Sequence, residues 1–144
     1  MAAYSSPVLR AVQTARIVAK PHGLKVKTME ELTEARIKER FVGKKGRHHI
    51  LTDPEDYDET NADLLKRTAR AIETVHSECS GKVVLVSHGD VITALLENVV
   101  ERRVSTERYY VFHPEPASLS VVETKGRPFL TLYNFHRKVL ADYA

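Results

Sequence analysis

The sequence predicts an α/β fold: a three-layer sandwich with a mainly parallel sheet, helices on both faces and a C-terminal hairpin. Three observations carry this. Val83-Val84-Leu85-Val86 is a short apolar run rich in β-branched residues and bounded by Gly81 and Gly89, the pattern of a parallel strand covered on both faces. Helical patterns flank it, an amphipathic one from Thr60 to Cys79 and an apolar one from Asp90 to Val100. Near the start, Tyr4-Ser5, a helical segment and the alternating Leu24-Lys25-Val26-Lys27 together make a βαβ unit.

Each element has its own warrant. Ser6 suits an N-cap and Pro7 the first helical position; Pro21 and Gly23 stop that helix near Lys20. Ala11, Thr14, Ala15 and Val18 are expected to face the sheet. Glu30, Glu31, Glu34 and Glu39 interleave with Arg36, Lys38 and Arg40, which by charge pattern alone reads as a solvated helix face. Lys44 to Tyr57 reads as a mobile loop with a basic cluster (Lys44, Lys45, Arg47, His48, His49) ahead of an acidic one (Asp53 to Glu59). The basic cluster either holds an anionic group or pairs with the acidic stretch. In the long helix, Leu64, Leu65, Thr68, Ala69, Ile72 and Val75 form the buried stripe, with Lys66, Arg67, Arg70 and Glu73 away from it. His76 near its C-terminus suits the helix dipole and is read as structural. Glu101-Arg102-Arg103 makes a charged break, and Ser105 or Thr106 caps a short helix through Phe112. Ser118–Glu123 and Phe129–Asn134 then form a hairpin across Thr124–Pro128. His113 and His136 read as surface or packing residues.

Length and composition fit one domain over residues 1–144. The 144-residue chain is 42% hydrophobic and 28% charged, ordinary for a globular protein. A single cysteine, Cys79, excludes an intrachain disulfide and suits a reducing cytoplasm. No apolar run is long enough to span a bilayer, so no membrane partner is expected. The net charge of +3 is mild and its basic residues are scattered, which gives nucleic-acid binding little help. His48 and His49 are adjacent and suit a metal site poorly without other ligands. No metal or organic cofactor is expected, since neither a ligand cluster nor a nucleotide-binding glycine motif is present.

Two segments carry candidate chemistry. His88 ends the apolar strand and stands before a helix N-terminus, in the crevice where open α/β sheets bind ligands and where free N–H groups favour anions. As structure alone it is a core histidine closing a strand. Arg10 lies in the first turn of the first helix, a poor place for a cation unless it faces an anion held at that same terminus. A guanidinium there clamps phosphate through two parallel hydrogen bonds.

Ser5-Ser6-Pro7, Arg10-Ala11 and Thr14-Ala15, followed much later by Val84-Leu85-Val86-Ser87-His88-Gly89, resemble paired motifs of the histidine phosphatase superfamily, the phosphoglycerate mutase-like proteins. The resemblance runs across nearly the whole chain and is weakest between Lys38 and Thr60. It implies a phosphatase or mutase, a hydrolase or an isomerase, acting on a phosphorylated small molecule. It further implies that Arg10 binds phosphate and that His88 stabilises the transferring phosphoryl group. Leu32-Thr33-Glu34 resembles the segment that carries the family's general acid, making Glu34 the candidate for that role and Glu31 the runner-up. A general acid needs a raised pKa to hold its proton near neutral pH.

One departure stands out. Family members open on a strand ending in Arg-His-Gly, whose histidine is the nucleophile. Nothing here precedes Met1-Ala2-Ala3-Tyr4, so the sequence is read as lacking that strand, through truncation, a misassigned start or abandoned catalysis. Arg47-His48-His49 is the remaining Arg-His pair, and it follows Lys44-Lys45-Gly46 rather than a strand. The expected activity is therefore phosphohistidine chemistry with its nucleophile supplied by a missing segment, another subunit or an unusual residue such as His48. The alternative is a non-catalytic phosphate- or anion-binding remnant or interaction module. A strand missing from the sheet also leaves an exposed edge, so either a homo-oligomer or a rearranged hairpin that closes the gap is expected.

Overall fold

The first strand, β1 (Ala2–Ser5), forms the centre of a parallel sheet of order β2-β1-β3, with β2 spanning Val26–Thr28 and β3 Val83–Val86. The computed structural model describes residues 1–42, 57–99 and 114–136. Ala3 stands opposite both Val26 and Val84, and Tyr4 opposite Lys27 and Leu85. Side chains alternate across a strand, so this register sorts them onto two faces. Ala2, Tyr4, Val83 and Leu85 enter the main core, together with Leu32, Leu64, Ala71, Val75, Val91, Ala94 and Leu95. That face is covered by helices α2 (Asn61–Glu78) and α3 (Gly89–Val99). Helix α1 (Leu9–Ala19) packs against β1, β2 and β3 through a ridge of Ala11, Ala15 and Ala19, giving the third layer.

The α1 ridge differs from the expected stripe. Thr14 and Val18 are exposed and Ala19 is buried instead, because small side chains four residues apart let the helix lie close on the sheet. Gly23, at φ 63°, stops the helix and donates its N–H to the Lys20 carbonyl.

Helix α2 matches its pattern more closely. Thr60 caps it in a reciprocal capping box with Asp63, and Leu64, Thr68, Ala71 and Val75 form the buried line. The segment from Glu30 to Phe41 is not the helix its charge pattern described. It forms single 3₁₀ turns at Glu30–Leu32 and Glu39–Phe41, with extended backbone after each. β3 is half-buried along its whole length, because among the described residues it pairs with β1 alone. The hairpin of β4 (Leu119–Glu123) and β5 (Phe129–Phe135) is antiparallel and forms a sheet of its own. The Lys44–Asp56 clusters with His48 and His49, the charged break at Glu101–Arg103, the helix expected through Phe112, and His113 lie outside the described residues.

Candidate functional site

Parallel pairing brings the carboxyl ends of β1 and β3 side by side, and the site forms just beyond them. The Ser6 N–H donates to the Val86 carbonyl at 2.9 Å, extending the β1–β3 ladder past the last strand residue. His88 follows two residues later, buried, with α3 starting immediately after it. Its carbonyl accepts the Ile92 N–H at 2.8 Å, while the first N–H groups of α3 lack intrahelical partners.

Three side chains converge on the imidazole. Arg10 Nη2 donates to His88 Nδ1 at 2.9 Å, joining residues 78 positions apart. Ser6 Oγ lies 2.9 Å from His88 Nε2. Glu34 Oε2 approaches Nδ1 at 3.7 Å, too long for a hydrogen bond but close enough for the two groups to feel each other's charge. The three sequence-predicted site residues are thus together. Among the described residues, His88 is the side chain that Arg10 bonds, through Nη2 alone.

Ser6 does something the capping pattern concealed. The cap position of α1 is Val8, which has no side chain to serve it, and Pro7 stands ahead of the helix rather than at its first position. The fully buried Ser6 hydroxyl is turned to His88 and receives the Val8 N–H only at 3.3 Å.

Glu34 is presented by a loop tied at two points. Ser87 Oγ donates to the Leu32 carbonyl at 2.7 Å, and Arg67 Nη1 donates to the Glu31 carbonyl at 2.6 Å. Arg67 is itself clamped by Glu59, with Nε to Oε1 at 2.6 Å and Nη2 to Oε2 at 2.9 Å, in a pair almost closed to solvent. Arg67 was expected on the outer face of α2. It escaped the hydrophobic stripe because a long cation can reach inward only where a buried acid meets it, and nothing in the sequence ties Glu59 to it. Glu31 contributes its backbone here, leaving Glu34 as the carboxylate beside His88.

The electrostatics of the trio follow from this packing. Burial, with a smaller push from Asp90, raises the Glu34 pKa to about 7. The Ala35 N–H on its Oε1, at 3.0 Å, and the charges of Arg10 and Arg67 oppose that rise. Burial lowers His88 to about 4, with the Arg10 and Arg67 charges adding to the effect. Near neutral pH the empty site therefore holds a neutral imidazole beside a carboxyl group poised to hold or release a proton.

A cleft of about 500 Å³ opens next to Glu34, walled by Arg36, Lys66 and Arg70 and by the acids Glu30 and Asp63, with the Arg67–Glu59 pair at its side. A shallower groove of about 650 Å³ lies at the far end of α1, around Arg16, Lys20 and Leu24, and holds none of these chemical groups. His22 and His76 are exposed. Among the described residues, no group of three or more His, Cys, Asp or Glu is arranged to hold a metal ion, and no helix is long and apolar enough to cross a membrane.

Comparison with known proteins bears on the fold and the family. No curated protein sequence matches the chain, but solved structures do. A mycobacterial glucosyl-3-phosphoglycerate phosphatase, solved with inorganic phosphate, superposes with a TM-score of 0.72 at 20% identity, over 94% of this chain and 77% of the phosphatase. A phosphoserine phosphatase from Entamoeba histolytica, solved with 3-phosphoglyceric acid, gives 0.72 at 21% identity over 95% and 75% of the two chains. YhfR of Bacillus stearothermophilus gives 0.69 at 21% identity over 96% and 75%. These likenesses establish the fold. The sequence itself matches the histidine phosphatase superfamily (branch 1) over residues 1–135, and the chain belongs to that family.

Proposed function

We propose that this protein handles phosphomonoesters, with the phosphoryl group seated between Arg10, His88 and the N-terminus of α3. The observation that carries this reading is the convergence of Arg10 and His88 at 2.9 Å with Glu34 beside them. Arg10 clamps the phosphoryl oxygens and His88 stabilises the charge that develops during transfer. Glu34, with its pKa near 7, holds a proton for the leaving oxygen. The rest of the substrate lies over the cleft beyond Glu34, whose wall carries Arg36, Lys66 and Arg70 together with the acids Glu30 and Asp63 and suits a polar alcohol portion.

A specific observation favours a second reading, a phosphate-binding protein without turnover. Family chemistry runs through a histidine nucleophile, and no described histidine other than His88 bonds to Arg10, Ser6 or Glu34. His48, His49 and His113 lie outside the described residues, and a segment ahead of residue 1 and a second subunit are further sources of a nucleophile. Without one, covalent turnover collapses even though the pocket still binds. The outer edge of β3, unpaired among the described residues, suits pairing with a second copy of the chain. The single half-buried Cys79 fits a reducing cytoplasm.

Hydrolysis of 4-nitrophenyl phosphate, measured alongside inorganic phosphate binding, separates the two readings. Turnover above buffer that disappears in His88→Ala and Arg10→Ala supports the enzyme. Phosphate binding without turnover supports the binding protein, and the absence of both ends the proposal. Size-exclusion chromatography with light scattering tests the edge pairing, which a monomer at all concentrations would refute.

A further inference from the structure

We infer that Ser6 is a positioning residue: its hydroxyl takes the Nε2–H of His88 and thereby commits Nδ1 to the phosphoryl group. The geometry leaves one assignment. A guanidinium has only donors, so Arg10 Nη2, at 2.9 Å, requires a bare lone pair on His88 Nδ1. A neutral imidazole carries one N–H, which must then sit on Nε2 and point at Ser6 Oγ, also at 2.9 Å. Burial lowers the His88 pKa to about 4, so the ring is neutral when empty and this accounting applies.

Ser6 is built for an acceptor role. It is fully buried, its backbone is fixed by the Val86 carbonyl, and the Val8 N–H also points at its Oγ. Two donors therefore meet at one hydroxyl oxygen, which has the two lone pairs to receive them. If that oxygen is removed, a buried Nε2–H loses its partner and the ring is free to rotate or change tautomer. The other nitrogen, Nδ1, faces Arg10 and the side of the pocket where the proposed phosphoryl group sits. When phosphate binds, the Arg10 N–H turns from Nδ1 to the anion, and the freed Nδ1 accepts the hydroxyl proton of a monoanionic phosphate or takes up a proton from solvent to meet a dianion. In both cases Nε2–H stays on Ser6.

The meaning given to Nδ1 rests on the phosphate-pocket reading, whereas the tautomer does not. The experiment is long-range ¹H–¹⁵N NMR on protein labelled at histidine, above pH 5.5, together with titration by inorganic phosphate. The full chain without ligand is expected to show His88 as the Nε2–H tautomer. Ser6→Ala is expected to shift the Nε2 signal and weaken phosphate binding about tenfold, the scale of one lost hydrogen bond. Ser6→Thr, which restores the oxygen, is expected to recover both. An Nδ1–H tautomer in the unaltered protein overturns the inference without any variant having to fold. So does a folded Ser6→Ala protein with unchanged His88 signals and phosphate affinity. An Nε2–H tautomer in a protein that binds no phosphate upholds the Ser6–His88 pairing and overturns the phosphate reading.

Discussion

Helices α1 and α2 differ in what holds them and in what they hold. Helix α2 is capped reciprocally by Thr60 and Asp63, buries Leu64, Thr68, Ala71 and Val75, and is tied by Arg67 to Glu59 and to the Glu31 carbonyl. Helix α1 has no side-chain cap and no acid in its first turn, and it rests on the sheet through alanines. Its larger apolar residues point outward: Ile17 is 74% exposed and Leu9 67%. Yet α1 carries Arg10, and the turn leading into it carries Ser6. The chain concentrates its anchoring contacts in one helix and places two of His88's partners, Arg10 and Ser6, at the start of the other, away from the main core.

Substitutions can break that division of labour. Arg67→Ala leaves Glu59 buried without its partner and is expected to cost about 3–5 kcal/mol by chemical denaturation. The Glu34 loop loses an anchor in the same variant, so phosphate binding falls as well. Arg10→Ala is the converse: phosphate affinity drops about 10- to 100-fold, as expected for losing charge-assisted hydrogen bonds, while stability falls by about 1 kcal/mol, the scale of the one hydrogen bond to His88. A large loss of stability there would erase the contrast between the helices. Thr60→Ala removes the cap of α2 and should cost about 1 kcal/mol.

Glu34→Gln sharpens the comparison through pH. The Glu34 carboxyl, raised from 4.5 to about 7, binds its proton more tightly in the folded state, so its contribution to stability falls as pH rises through that window. His88, lowered from 6.5 to about 4, does the reverse and gains stability as pH rises from about 4 to 6.5. The slopes oppose each other between about pH 4.5 and 6.5. Removing the carboxyl leaves the histidine's slope alone, so the stability of the variant should climb more steeply with pH than that of the parent. If Glu34 donates the proton, kcat/KM of the unaltered protein falls as pH rises above about 7 and the variant lacks that limb. The smallest effect expected is from Ile17→Lys on the open face of α1, within about 0.5 kcal/mol.

How readily each part could be read from the sequence follows the range of the interactions that set it. Helix α2, β3 and the hairpin strands were visible because periodicity, capping and apolar runs are local signals, and those elements form close to where the signals place them. The segment from Glu30 to Phe41 was not, since alternating charges describe a helix surface as well as they describe an irregular loop. Its shape depends on Ser87 and Arg67, which come from distant parts of the chain. Arg10, His88 and Glu34 were found through motif resemblance, and their meeting follows from the β1–β3 pairing. Ser6 was read by the commonest use of serine before a helix, while its actual partner stands 82 residues away. Arg67 escaped for the same reason: hydrophobic patterning treats every cation as solvated.

The 78-residue span between Arg10 and His88 has a consequence for how the molecule assembles. No fragment ending before β3 contains both Arg10 and His88, so the proposed anion site forms only when this long loop closes. Any anion that binds there acts as a reversible staple across the loop, favouring the finished fold over every precursor. At a hundredfold excess over its dissociation constant, such a ligand adds about 2.7 kcal/mol to folding. Under the proposed phosphate reading, ambient phosphate would set, in part, how much of the folded chain persists.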